Sequence, residues 1–149
     1  TIYRMAGAVH ACALCNTTGV EIFVEDVGRH NAADTIAGRM WREGLSGRDK
    51  ILYTTGRLTS EIVMKTAQME IPVLLSRSGV THMGLELAQA LGMTMIASIT
   101  ATFADQPSPD SPFERQDVTR FSRSVGPFAR IGLNGSGISR ILSRVPVVE

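Results

Sequence analysis

The alternation of β-rich and helical segments constrains the fold of this chain more than any other feature. Two β-favouring runs, at 8–14 and 20–24, flank a polar turn at 16–19 and predict a hairpin. From Asn31 the apolar residues recur at helical spacing, and Gly44 is a suitable point for that helix to end. Strand, helix, strand, helix and strand patterns then follow in order up to residue 97.

These later elements predict an α/β fold. The strands are expected at 50–55, 71–76 and 93–97, the helices open near 59–61 and after 78–81, and Gly92 ends the last helix. Alternation of this kind predicts right-handed crossovers and helices on both faces of the sheet. Because the chain also opens with a hairpin, we expect a three-layer α/β/α sandwich with a mixed sheet.

The character of the sequence changes near residue 98. Residues 105–112 are rich in proline, serine and aspartate, and 113–149 combine serine, arginine and glycine with little periodicity. We therefore expect an α/β domain over 1–98 and a weakly structured, atypical tail over 99–149. The chain opens without methionine and runs straight into patterned sequence, which suggests a fragment.

Composition and charge argue against several classes of protein. The chain has 149 residues, of which 44% are hydrophobic, enough for one domain with a core. No apolar run approaches the roughly 20 residues of a membrane span, and the start does not resemble a signal peptide. A net charge of +1 does not favour nucleic-acid binding. Two cysteines and seven methionines suit a reducing compartment, so we expect a cytoplasmic protein.

Three polar clusters lie at the predicted strand-to-helix junctions, at 25–31, 56–61 and 76–81, and each contains an arginine. In an open α/β sheet, ligands bind outside the carboxyl ends of the strands. Helix N-termini attract anions, and arginine is well shaped to hold phosphate. One such cluster is commonly just an N-cap beside a surface arginine. Three clusters at equivalent positions favour an anion-binding site.

Several single residues have simpler alternatives. His30 could serve as an acid or base, or merely form a hydrogen bond at a helix start. Lys65 follows Glu61 by four residues, which predicts an ordinary ion pair on one helix. Asp34 could cap a helix or pair with an arginine.

Cys12 and Cys15 have the C-x-x-C spacing of redox and metal sites. Residues three apart on a strand point to opposite faces, so the two sulfur atoms cannot meet. No second C-x-x-C completes a zinc site, and the signature of the zinc deaminases is also missing. We expect two buried structural thiols.

Four motifs together resemble the FdhD family, the formate dehydrogenase accessory sulfurtransferases. The motifs are GAVHA at 7–11, EDVGRHNA at 25–32, GRLTSE at 56–61 with Lys65, and SRS at 76–78 with Thr81. The resemblance implies a cytidine-deaminase-like fold without the zinc site. It also implies an enzyme that passes sulfur from a cysteine desulfurase to the molybdenum bis(molybdopterin guanine dinucleotide) cofactor of formate dehydrogenase, and it suggests a homodimer.

The resemblance further implies a cofactor site that GDP would mimic. Three arginines would contact phosphate, four polar residues would orient the ligand, and Asp26 and Glu61 would hold the arginines in place. The expected cofactor-binding residues are His10, Asp26, Arg29, His30, Asn31, Arg57, Ser60, Glu61, Lys65, Arg77, Ser78, Ser98, Ile99, Thr100, Ala101, Thr102 and Phe103. We expect no metal ligand among them.

The sequence also departs from the family pattern. The family's sulfur-carrying C-x-x-C lies upstream of residues 7–10 and would precede Thr1, so we expect no catalytic cysteine in this chain. The family's basic segment after the last strand is replaced by uncharged residues at 98–103. Two alternatives therefore stay open: a docking or chaperone module that needs no ligand, and another nucleotide-binding enzyme.

Overall fold

The structure is a computed structural model that describes residues 2–97. It contains a short helix, a hairpin and three strand-connecting helices. The elements are α1 (Ile2–Ala6), β1 (His10–Cys15), β2 (Val20–Asp26), α2 (Arg29–Glu43), β3 (Ile51–Thr54), α3 (Ser60–Gln68), β4 (Val73–Ser76), α4 (His82–Ala90) and β5 (Thr94–Ile96). The predicted hairpin and the alternation that follows it are confirmed.

The strands form one mixed sheet in the order β2-β1-β3-β4-β5. β1 is antiparallel to both β2 and β3, whereas β3, β4 and β5 are parallel. β2 therefore runs in the same direction as β3, and the carboxyl ends of β2 to β5 lie at one edge. We call this the carboxyl edge; it also holds the start of β1, where His10 lies opposite Asp26.

The three long helices pack on the same face of the sheet. Ile36 of α2, Ile62 of α3 and Ala88 of α4 belong to one buried cluster with Leu14 and Leu74 of the strands. The parallel strands follow each other in one direction across the sheet, so crossovers of one hand place every helix on one side. Helices on both faces would require the strand order to reverse.

The predicted α/β class and mixed sheet are thus confirmed, while residues 2–97 provide two of the three predicted layers. On the second face of the sheet, Ala13, Cys15, Ile51, Val73 and Leu75 form a separate buried cluster. No described helix contributes to this cluster. The two clusters alternate along each strand, as the two-residue period of a strand requires.

The ends of the helices follow local chemistry. Gly44 adopts the left-handed conformation, with φ 66°, and its N–H donates to carbonyl oxygens of the last turn of α2, as predicted for that stop. Gly92, with φ 63°, follows α4 in the same way. α2 begins at Arg29, two residues before the predicted start at Asn31. The short helix α1 was not predicted; the backbone N–H of its Ile2 donates to Glu25 Oε2 at 2.9 Å.

None of the helices within residues 2–97 combines the length and the apolar character that crossing a membrane requires.

Candidate functional site

The carboxyl edge brings the three predicted arginine clusters together. β2, β3 and β4 all end there, and α2, α3 and α4 begin immediately beyond them. The N-termini of three helices therefore face one edge of the sheet, where the partial positive charge of helix N-termini favours an anion. The antiparallel strand β1 adds His10 to the same edge. The strand pairings set these directions and so bring the segments together.

The second and third clusters are joined by backbone hydrogen bonds. Leu58 N–H donates to the Gly79 carbonyl at 3.0 Å, and Thr81 N–H donates to the Leu58 carbonyl at 3.0 Å. Ser78 Oγ donates to the Thr55 carbonyl at 2.9 Å. The turns that carry Arg57 and Arg77 are therefore held side by side as one unit.

Two buried hydroxyls organise the turn after β3. Thr54 Oγ1 accepts the Gly56 N–H at 3.1 Å and lies 3.3 Å from Cys12 Sγ. Ser76 Oγ donates to the Gly56 carbonyl at 2.6 Å and accepts the Ser78 N–H at 2.9 Å. Thr54 was not among the predicted site residues, although a hydroxyl residue at the end of an apolar strand is a signal for such a role.

Arg29 and Arg57 have guanidinium groups that are available to bind an anionic ligand. Neither forms an ion pair with another of the residues at 2–97. Arg57 is exposed, whereas Arg29 is half-buried, with its aliphatic stem beside Gly56. Arg29 Nε is buried and has no hydrogen-bond partner in the described part of the chain. Arg77 is exposed at the equivalent turn after β4.

Two more buried polar atoms lack partners near the start of α3. His30 Nε2 contacts Glu61 Oε2 at 3.2 Å, but His30 Nδ1 has no partner within the described residues. Thr59 precedes α3, yet its Oγ1 is also unpaired among the described residues and does not cap the helix. Thr81 does cap α4, accepting the Gly84 N–H at 3.2 Å. A buried unpaired polar group costs about 1–3 kcal/mol, which a ligand would recover.

Asp26 and Glu61 have other partners than the arginines that we predicted. Asp26 Oδ1 accepts the Gly28 N–H at 2.8 Å and Nδ2 of Asn31 at 3.1 Å. It therefore stabilises the first turn of α2, while Glu61 orients His30. Neither carboxylate therefore forms the predicted pair with an arginine.

Lys65 lies one turn along α3, and its charge is already engaged. Nζ contacts the two carboxylate oxygens of Asp34 at 2.6 and 2.7 Å, and Glu61 Oε1 at 3.8 Å. The predicted ion pair between Lys65 and Glu61 is present, but it is longer than the pair between Lys65 and Asp34. Asp34 therefore pairs with a lysine, not with an arginine. Lys65 also lines a groove of about 330 Å³ with Trp41 and Met69, between α2 and α3.

The remaining predicted residues divide into three groups. Ser60 is the first residue of α3 and is half-buried. Ser78 already uses its hydroxyl to bind the neighbouring turn. Ser98, Ile99, Thr100, Ala101, Thr102 and Phe103 lie outside the described residues, as does the predicted tail at 99–149.

Cys12 and Cys15 are free, buried thiols on opposite faces of β1, as predicted. Burial raises the pKa of Cys12 to about 11, although the hydrogen bond with Thr54 opposes the shift. Burial and the charge of Glu21 raise the pKa of Cys15 to about 12. Both thiols are therefore protonated and poorly nucleophilic near neutral pH. Within residues 2–97 there is also no group of three His, Cys, Asp or Glu side chains that could hold a metal.

Comparison with known proteins supports the resemblance seen in the sequence. The FdhD/NarQ family profile matches residues 1–104. The chain belongs to the FdhD/NarQ family. It is 37% identical over 113 residues to the sulfur carrier protein FdhD of Listeria monocytogenes serotype 4b (strain F2365), a match that spans 76% of this chain and 42% of the Listeria protein. It is 34% identical over 97 residues to the Bacillus subtilis (strain 168) protein of the same name, spanning 65% of this chain and 37% of that protein.

A crystal structure supports the same family membership. The matching protein, a candidate formate dehydrogenase accessory protein from Desulfotalea psychrophila, is 38% identical with a TM-score of 0.63. The match covers 66% of this chain and 42% of the Desulfotalea chain. This FdhD/NarQ chain thus spans less than half the length of these relatives.

Proposed function

We propose that this chain is the cofactor-binding part of a sulfur carrier that serves formate dehydrogenase. Its ligand is the guanine dinucleotide end of a molybdenum bis(molybdopterin guanine dinucleotide) cofactor. The proposal depends chiefly on the carboxyl edge, where Arg29 and Arg57 lie without counter-ions among residues 2–97. The unpaired buried atoms Arg29 Nε, His30 Nδ1 and Thr59 Oγ1 lie at the same edge. Family membership supports the choice of ligand.

The residues present suit a diphosphate. Guanidinium groups donate paired hydrogen bonds to phosphate oxygens, and helix N-termini add partial positive charge. Arg29, Arg57 and Arg77 would bind the phosphates, while His30 and Ser60 would orient the nucleoside. When bound, the molybdenum centre would accept the sulfur, and the residues of this chain would hold its nucleotide.

The described thiols favour a binding role over direct transfer. Cys12 and Cys15 are buried, with pKa values raised to about 11 and 12. Sulfur from a cysteine desulfurase would therefore be carried by another cysteine of the complete sulfur carrier. Formate dehydrogenase would receive the cofactor once it carries the sulfur. We expect the sulfur carrier to act in the cytoplasm as a homodimer. The burial of both thiols also favours a second candidate function: a docking module that binds a desulfurase or a dehydrogenase and needs no ligand.

Calorimetric titration of the chain with GDP tests the first proposal, with ATP and inorganic phosphate as controls. We expect GDP to bind more tightly than either control. Arg57→Ala should weaken GDP binding about tenfold or more, since a hydrogen bond to a charged group contributes about 1.5–3 kcal/mol. Arg42→Ala is the matched control, because Arg42 is an exposed arginine at the far end of α2; it should leave GDP binding unchanged.

Two results would contradict the cofactor proposal. The first is no binding of GDP, ATP or phosphate by the wild-type chain. The second is equal GDP affinity of the Arg57→Ala and wild-type chains. If GDP does not bind but the chain retains a purified cysteine desulfurase, the docking module is the better explanation.

A further inference from the structure

Gly56 lies against the side chain of Arg29, across the carboxyl edge. A Cβ atom at Gly56 would lie 2.8 Å from Cδ, 2.9 Å from Cβ and 3.4 Å from Cγ of Arg29. Real Cβ atoms essentially never lie within 3.0 Å of a non-bonded heavy atom from elsewhere in the chain. The aliphatic stem of Arg29 thus occupies the space that any side chain at position 56 would need.

The backbone conformation does not explain why position 56 is glycine. The glycines with positive φ are Gly7, Gly19, Gly44 and Gly92 among the described residues, and Gly56 is not one of them. A positive φ is therefore not the reason for a glycine at position 56. The close approach of Arg29 is the remaining reason for a glycine.

Gly56 cannot move aside, because both of its backbone polar groups are held. Its N–H donates to Thr54 Oγ1 at 3.1 Å, and its carbonyl accepts from Ser76 Oγ at 2.6 Å. Thr54 and Ser76 are 1% and 0% exposed. A substitution at position 56 must therefore displace Arg29.

Arg29 is placed from its own side by the start of α2. Its carbonyl oxygen lies 4.0 Å from Cys12 Sγ, so the first turn of α2 lies over β1. The side chain then crosses towards the end of β3, where its Nε is buried without a partner in the described part of the chain. The path of the stem determines where the guanidinium group can meet a ligand.

We propose that Gly56 is a positioning residue, which holds the guanidinium group of Arg29 at the carboxyl edge by leaving space for its stem. The effect on ligand binding rests on the proposed function, whereas the packing of the two residues does not. Gly56 contacts no ligand in this proposal and acts only through Arg29.

A double-mutant cycle on the full chain tests this inference. Its members are wild type, Gly56→Ala, Arg29→Gly and the double variant, since glycine at 29 removes all three contacting carbons. Gly38→Ala is the matched control: Gly38 lies in α2, is exposed, and would place its Cβ within 4 Å of nothing. The measurements are the thermal midpoint Tm and the calorimetric Kd for GDP.

We expect Gly56→Ala to lower Tm by about 5 °C or more, as overpacking in a small domain does. In the Arg29→Gly background the same change should lower Tm by less than about 2 °C. Gly56→Ala and Arg29→Gly should each weaken GDP binding about tenfold or more, and the double variant should bind no more weakly than Arg29→Gly alone. The Gly38→Ala variant should bind GDP as wild type does.

Additive losses of Tm would overturn the inference, since they would show that Gly56 acts without Arg29. Wild-type GDP affinity in the Gly56→Ala chain would also overturn it. If the wild-type chain does not bind GDP at all, the proposed function fails on its own. The Tm cycle then decides the inference about packing: coupled losses support it and additive losses refute it.

Discussion

Replacing Ser76 by alanine should destabilise the protein strongly for a change of one oxygen atom. Ser76 Oγ donates to the Gly56 carbonyl at 2.6 Å and accepts the Ser78 N–H at 2.9 Å, and the residue is 0% exposed. Alanine leaves both backbone groups without their partner. At about 1–3 kcal/mol for each buried unpaired group, and less for the half-buried Ser78, we expect a loss of about 2–4 kcal/mol.

Urea unfolding followed by circular dichroism measures this loss. A loss of that size is a large part of the roughly 5–15 kcal/mol that stabilises a typical domain. The control is Ser46→Ala: Ser46 is exposed and accepts one long hydrogen bond, at 3.4 Å from the Arg48 N–H. That variant should stay within about 0.5 kcal/mol of wild type. If Ser76→Ala were equally mild, the two hydrogen bonds would not hold the turn, and Gly56 would be free to move away from Arg29.

Three further predictions concern the core and the opposite edge of the sheet. Cys12 and Cys15 should not react with iodoacetamide at pH 8 until urea unfolds the chain; rapid labelling of the native protein would contradict their burial. Burial raises the pKa of Cys12 from 9.0 to about 11, so between these pH values the unfolded chain loses the thiol proton and the folded chain keeps it. The free energy of unfolding should therefore fall as the pH rises from 9 to 11, and an unchanged urea midpoint over this range would refute the shift. Lys50 is 8% exposed, and its Nζ contacts Glu21 Oε1 at 3.0 Å. Lys50→Ala should therefore lower the free energy of unfolding in urea by about 1–3 kcal/mol, and Lys50→Met, which keeps the aliphatic stem, should lower it by less. Equal losses would show that only the charge of Lys50 contributes.

Much of the fold could be predicted because its signals are local. The hairpin, the helical spacing after β2 and the glycine stops at Gly44 and Gly92 each depend on a few neighbouring residues, and the structure has them as expected. The opposite facing of Cys12 and Cys15 followed in the same way from the two-residue period of a strand. The helix boundaries were predicted less closely: α2 begins two residues before Asn31, and Asp26 contacts Gly28 and Asn31 at this start.

The partners of the site residues could not be predicted, since they lie far apart in the chain. Glu61 was expected to hold an arginine and instead contacts His30, while Asp34 contacts Lys65 on another helix. Such pairs depend on how α2 and α3 lie side by side, and periodicity within one helix carries no information about its neighbour. For the same reason, the contact between Gly56 and Arg29 is invisible in the sequence.

The sequence by itself therefore determined the order of elements and the arginine clusters at three strand-to-helix junctions, because hydrophobic period and turn chemistry act over a few residues. Only the tertiary structure decided that β1 lies between β2 and β3 and pairs with both. This strand order places α2, α3 and α4 on one face of the sheet and the three arginine clusters at one edge. Strand order is set by the burial of whole faces and by hydrogen bonding between distant segments. These are properties of the assembled sheet and not of any single stretch of the chain.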